Sequence, residues 1–196
     1  MLRGGFLHFL AKTSPLFIQI FTLLYAFMHD NKRAYLFFAG ALGSDILNSI
    51  LKKGTHQLCK TQWYPKKLLG TCDRPNPKVT CSSFDLPKIF KPLVDGHGTG
   101  MPSGHAQFAA FTAVYWLRYL QYYKKHDPKT PWMAIGLVLF ALFVPYSRVA
   151  LSDCHTLQQV IVGSLIGAVL GWFYYDFSEW WLKRPVPLPE PESESA

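Results

Sequence analysis

Residues 98–117, GTGMPSGHAQFAAFTAVYWL, change character at one point: glycines, a proline and a serine run up to Gly104, and from His105 onward apolar and aromatic residues dominate. Glycine and proline oppose helix interior in the first part, while the second has the apolar content of a helix enclosed by lipid or protein. A helix starting behind such a turn leaves its first backbone N–H groups without intrahelical partners at its positive end, which stabilises anions. His105 stands at that end, placed to exchange protons with a phosphate ester.

Four comparable runs flank this one, so the candidate spans are 15–28, 34–51, 105–122, 131–146 and 156–181. Residues 2–10 either extend the first span or lie in the membrane interface. The first run lacks a small-residue cleavage pattern and is followed by His29-Asp30-Asn31-Lys32-Arg33, so it is expected to remain as a helix. With 49% hydrophobic and 16% aromatic residues in 196, the chain carries more apolar surface than a small soluble domain can hide. The fold expected is an all-α integral membrane bundle of about five to six spans, one domain over 1–184. The proline-rich acidic stretch 185–196, PVPLPEPESESA, is expected to be a disordered tail.

The formal charge of +8 does not imply nucleic acid, because the basic residues sit in loops between apolar runs and form no reading element. Anionic headgroups and phosphates are the partners that such a distribution fits. The longest connection, 52–101, emerges on the same membrane face as 147–154, and long loops of this kind are usually functional or disordered.

Two further clusters are out of place in lipid. Asp45, Asn48 and Lys52 follow i, i+3, i+7 spacing and share one face of the second span, where ionisable groups normally face a polar interior. Residues 146–155, YSRVALSDCH, bridge two apolar runs. Arg148 there offers a permanently charged donor fork suited to phosphoryl oxygens. His155 opens the last span with Gln159 at i+4, whose side-chain carbonyl can hold one ring nitrogen as the donor and leave the other to attack.

Together these clusters resemble the type 2 phosphatidic acid phosphatase superfamily, whose members include lipid phosphatases, glucose-6-phosphatase and dolichyldiphosphatase. Three family motifs fall in order: Lys, six residues, Arg-Pro; then Pro-Ser-Gly-His; then Ser-Arg, five residues, His. Pro102-Ser103-Gly104-His105 carries the second, and the third is placed on Ser147-Arg148 and His155. For the first, Lys67 with Arg74-Pro75 fits by spacing, whereas Lys52, one turn after Asn48 at a helix end, fits by placement and is favoured. Gln159 stands where many lipid phosphatases of the family carry an aspartate, as in its dolichyldiphosphatase and glucose-6-phosphatase branches. The segments GMPSGHAQF and HTLQQV are worded like dolichyldiphosphatases.

The resemblance implies a metal-independent phosphoric ester hydrolase without cofactor, acting on a lipid phosphate or diphosphate, foremost a polyprenyl diphosphate. In the implied mechanism His155 attacks phosphorus and forms a phosphohistidine, and His105 protonates the leaving oxygen and later activates water. Lys52 or Lys67, Arg74, Arg148 and the backbone N–H groups of Ser103 and Gly104 surround the phosphoryl oxygens. A glucose-6-phosphatase-like sugar phosphatase and a non-catalytic lipid-binding relative are the alternatives. Cys59, Cys72, Cys81 and Cys154 all fall in the two catalytic-face connections, and Lys32, Arg33, Lys124, Lys125, Lys129, Lys183 and Arg184 on the opposite face. That division favours a lumenal or exoplasmic site, in the endoplasmic reticulum of a eukaryote, with at least one disulfide tethering the long loop.

Overall fold

The computed structural model describes residues 5–76 and 99–183; the tail expected at 185–196, Arg184 and Cys81 lie outside the described residues. Five long helices run up and down: α1 Gly5–Met28, α2 Lys32–Leu58, α4 Gly104–Tyr123, α5 Thr130–Tyr146 and α6 Leu157–Leu182. A single-turn α3, Lys66–Leu69, follows α2, and Ser147–Leu151 continues α5 as a π-helical turn. No strand occurs among the described residues; one isolated antiparallel bridge joins Asp73 and Thr99. Residues 5–10 belong to α1, so that stretch extends the first helix.

Among the described residues, four helical segments have the length and composition to cross a bilayer: α1, α2, α5 with its continuation, and α6. Large apolar side chains such as Phe21, Phe27, Leu142 and Leu165 point outward, as a lipid-facing surface requires. The chain is an all-α integral membrane protein. The fifth long helix, α4, has 20 residues, about 30 Å at 1.5 Å per residue, but is diluted by His105, Gln107 and Arg118. It tolerates them because its neighbours are protein: ten of its residues are buried, from Ala106 to Leu120.

What draws α4 so close to α6 is a glycine every fourth residue. A Cβ on Gly163, Gly167 or Gly171 would stand 2.4 Å, 2.0 Å or 2.6 Å from the carbonyl oxygens of Ser103, Gln107 and Phe111 respectively. Both rows advance by four residues, so the two helices are fixed in one register by backbone contact. That register sets Ser103 and His105 against the start of α6. Below it Phe37, Ala41, Phe108, Phe111, Tyr115 and Tyr175 fill the core.

The end of the bundle holding residues 29–31, 124–129 and 183 is closed by ion pairs and rings. Arg33 pairs with Glu179 and lies over the rings of Tyr119 and Tyr123. Tyr123 donates its hydroxyl to Glu179 at 2.6 Å, and Arg118 pairs with Asp176 at 2.8 Å.

Candidate active site

At the other end, the starts of α4 and α6 meet the ends of α2 and α5. Asn48 and Lys52, one turn apart on α2, are both buried, and Asn48 Nδ2 donates to Gln107 Oε1 at 2.9 Å. Gln107 Nε2 in turn donates to Ser44 O and Oγ at 2.8 Å and 3.0 Å. This chain of amides pins α2 to α4 without a charge. Asp45, which shares the face in sequence, instead accepts from Gln19 of α1 at 2.7 Å. Gln107 was not singled out by the sequence, although it lies four residues after Ser103 on the same face of α4.

Ser103 caps α4 by position, yet its side chain makes no capping bond, and its Oγ is fully buried without a hydrogen-bond partner among the described residues. Its backbone N–H donates to Gln159 O at 3.1 Å. The hydroxyl and the first-turn N–H of Gly104 are what this end of α4 offers an anion. A Cβ at Gly104 would lie 2.9 Å from Asn48 Oδ1, so a larger residue there would push the Asn48 amide aside.

Arg148 is fully buried in the π-helical turn, with Ser147 beside it. Its carbonyl accepts from the backbone N–H groups of Cys154 and His155 at 3.1 Å and 3.2 Å, and from Ser152 Oγ at 3.2 Å. Six residues separate Arg148 from His155, one more than the family spacing assumed above. The widened π turn and Asp153, at φ 49°, take up that residue and bring His155 back to Arg148. Asp153 is exposed; the N-cap of α6 is Thr156, which forms a capping box with Gln159.

His155 is buried immediately before that cap, rather than inside the helix, and its Nδ1 meets Gln159 Oε1 at 3.1 Å. The orientation of Gln159 is fixed by its other end, since Nε2 donates to the carbonyls of Thr71 and Asp73 at 2.8 Å and 2.9 Å. An amide nitrogen held by two acceptors turns its oxygen to the histidine, so Nδ1 carries the hydrogen and Nε2 keeps its lone pair. Gly100 leaves the room for this, because a Cβ there would stand 2.3 Å from Gln159 Oε1.

The strip bearing those two carbonyls is itself fastened. Cys59 and Cys72 form a disulfide with Cα atoms 6.4 Å apart, and Cys72 O accepts from Gly100 N–H at 2.7 Å. Cys154, beside His155, is disulfide-bonded as well. Arg74 follows in the same strip, half-buried. Lys67 is exposed on α3.

Burial, the charges of Lys52 and Arg148, and less strongly that of Arg74 push the His155 imidazole down to about 3, against the opposing bond from Gln159. Three cations from α2, the loop and the π turn thus bear on one neutral imidazole. Arg148 also feels the like charge of Arg74, and His105 lies within electrostatic range of Arg148, His155 and Lys52. The structure therefore gathers His155, His105, Arg148, Lys52, Arg74 and Gln159, together with the Ser103–Gly104 helix start, and leaves Lys67 outside. A buried neutral imidazole with one nitrogen unprotonated, ringed by cations and helix-terminal donors, has the chemistry to attack and hold a phosphoryl group.

Comparison with known proteins identifies the family. The family model of the PAP2 superfamily matches residues 32–183, and the chain belongs to that superfamily. It is 31% identical over 180 residues to dolichyldiphosphatase 1 of Dictyostelium discoideum, a match covering 89% of this chain and 65% of that protein. Dolichyldiphosphatase 1 of Homo sapiens is 36% identical over 87 residues, covering 39% of this chain and 36% of the human protein. The Rhinolophus ferrumequinum protein of the same name is 34% identical over 89 residues, 41% of this chain and 37% of its own length. The chain therefore spans less than two thirds of these curated relatives. No solved structure matches the chain.

Proposed function

We propose that the chain is a metal-independent membrane lipid phosphatase that hydrolyses a polyprenyl diphosphate, such as dolichyl diphosphate, through a phosphohistidine at His155. The observation that carries the reading is the Gln159 clamp, which fixes the one tautomer of His155 able to attack through Nε2. In the proposed reaction Nε2 bonds to the terminal phosphorus while the bond from that phosphorus to the bridging oxygen breaks. The lipid monophosphate leaves with a proton from His105. Water, giving a proton to His105, then attacks the phosphohistidine, and inorganic phosphate and the free imidazole are regenerated.

Lys52, Arg74 and Arg148 neutralise the phosphoryl oxygens, with Ser103 Oγ and the Gly104 N–H at the positive end of α4. Gln159 is neutral, so the imidazolium is not stabilised as an aspartate would stabilise it, and the nucleophile stays ready at neutral pH. The names of the relatives support dolichyl diphosphate over a sugar phosphate. Three disulfide-bonded cysteines at the catalytic end, Cys59, Cys72 and Cys154, and the basic far end support a site on the lumenal face of the endoplasmic reticulum membrane.

The test is purified protein with chelator present, assayed for phosphate release from dolichyl diphosphate, a lipid monophosphate and glucose 6-phosphate. Preferred turnover of the diphosphate is expected; preference for the sugar phosphate, or none of the three being hydrolysed, overturns the reading.

A further inference from the structure

The site draws one group from α1, and the turn of α1 that supplies it lies before the family match, which begins at residue 32. His105 Nε2 meets the backbone carbonyl of Lys12 at 2.9 Å. A carbonyl only accepts, so Nε2 carries a hydrogen and donates it. In the neutral ring the lone pair is then on Nδ1, and every proton His105 takes or gives passes through that atom.

The carbonyls of this α1 turn accept from side chains. Pro15 stands inside the helix and has no N–H for the carbonyl of Ala11, which accepts from Ser14 Oγ at 3.1 Å instead. Thr13 Oγ1 donates to Phe9 O at 2.8 Å. Ala11 and Lys12 thus both receive side-chain donors within one turn of the proline, where the helical ladder opens. Ala11, Thr13 and Pro15 are buried, so this turn is held against the bundle.

We propose that the Lys12 carbonyl, presented by the turn that Pro15 opens in α1, is a positioning group for His105, fixing the tautomer with hydrogen on Nε2 and directing proton exchange through Nδ1. The catalytic part of this inference rests on the phosphatase reading above. Among the described residues, the charged and titratable groups bearing on His105 are Arg148, His155 and Lys52, from the π turn, the α6 approach and α2. None of them belongs to α1, so a change confined to the Lys12 carbonyl leaves that field in place.

The experiment replaces the Lys12–Thr13 amide by an ester, using the α-hydroxy analogue of Thr13, which weakens this carbonyl as an acceptor. The same replacement at Phe21, on the exposed face of α1, is the control. Full-length proteins are compared for turnover of a lipid monophosphate, whose alkoxide needs protonation, and of the diphosphate, whose phosphate leaves readily. The Thr13 ester is expected to lower kcat for the monophosphate about five- to tenfold with KM unchanged, to affect the diphosphate less, and to shift the inflection of the pH profile. The Phe21 ester should match the natural chain. Equal behaviour of the two esters overturns the proposal. Nitrogen NMR of labelled His105 reads the tautomer without turnover: hydrogen on Nε2 in the natural chain and a mixture in the Thr13 ester are expected. If none of the proteins releases phosphate, the phosphatase reading fails while the NMR outcome still decides the tautomer claim.

Discussion

The bundle holds an arginine at each end, Arg148 buried and Arg33 half-buried, and the two are treated in opposite ways. Arg33, at the far end, is answered by the Glu179 carboxylate and by two tyrosine rings. Arg148, at the catalytic end, lies within range of a second guanidinium, that of Arg74, and both bear on a neutral histidine. Opposite charges in contact give a closed, static joint; like charges gathered by the fold give a positive field suited to an anion. The comparison teaches that charge is spent on architecture at one end, and that the phosphatase proposal rests on the cations gathered at the other.

The sharpest way to break that division is at His155. His155→Ala should lower phosphate release by on the order of 10⁴-fold or more in protein that still folds, because no other group replaces the nucleophile. Retained turnover would remove the catalytic end from the argument. The same residue predicts a pH effect. Its imidazole is pushed down to about 3 in the folded protein, by burial first and then by Lys52 and Arg148. Between pH ~6.5, the ordinary histidine value, and that depressed value the unfolded chain takes up a proton that the folded site refuses, so stability present at neutral pH is lost on acidification. From pH 7 to 5 the natural protein should lose about 2 kcal/mol more than His155→Ala, read by denaturant titration at each pH. Parallel curves would show the imidazole is not held neutral.

Lys52→Ala should cost roughly 10²- to 10³-fold in kcat/KM, the range for losing one charge contact to a transferring group, whereas Lys67→Ala should change it less than about twofold. The reverse ranking would return the phosphate contact to the lysine chosen by spacing.

The parts of this end that sequence shows are those carried by short-range pattern. Asn48 and Lys52 recur on one helix face, His105 follows a turn of glycine and proline, and His155 and Gln159 stand one turn apart. The sequence does not show partners that are backbone. The carbonyls of Thr71, Asp73 and Lys12 have no residue signature, and they orient both histidines. The extra residue between Arg148 and His155 is likewise invisible to motif matching, because a π turn absorbs it without breaking the helix. The apolar runs anticipate the helices, and composition already sets α4 apart from the other four, but only packing shows that its neighbours enclose it.

A smaller effect is expected from opening the Cys59–Cys72 disulfide. It closes a sequence separation of 13 and holds the strip whose Thr71 and Asp73 carbonyls clamp Gln159. Serine at both positions should lower kcat about three- to tenfold, with His155 still in place but its orientation loosened. Using serines isolates this bridge from that of Cys154, which a reductant would open too. Unchanged kcat would show that the strip stays in position without its covalent anchor.

The smallest effect on catalysis belongs to the far end, and it is the control that sharpens the comparison. Glu179 receives Arg33, the Tyr123 hydroxyl at 2.6 Å and, at 3.7 Å, Lys183. Glu179→Gln keeps the shape and removes the charge, so Arg33 remains among Tyr119 and Tyr123 without its counter-ion. The pair is not fully sealed from solvent, with side chains 16% and 11% exposed, which reduces the cost of breaking it below that of a deeply buried pair. A loss of about 1–3 kcal/mol in stability is expected, read as a lower midpoint of unfolding in detergent, while kcat on the diphosphate stays within about twofold. The reason for the second expectation is the Gly163–Gly167–Gly171 contact, which fixes the register of α4 on α6 between the two ends independently of any charge. A kcat that falls together with stability would mean that the far-end ion pair, and not the glycine contact, sets the position of His105 and His155.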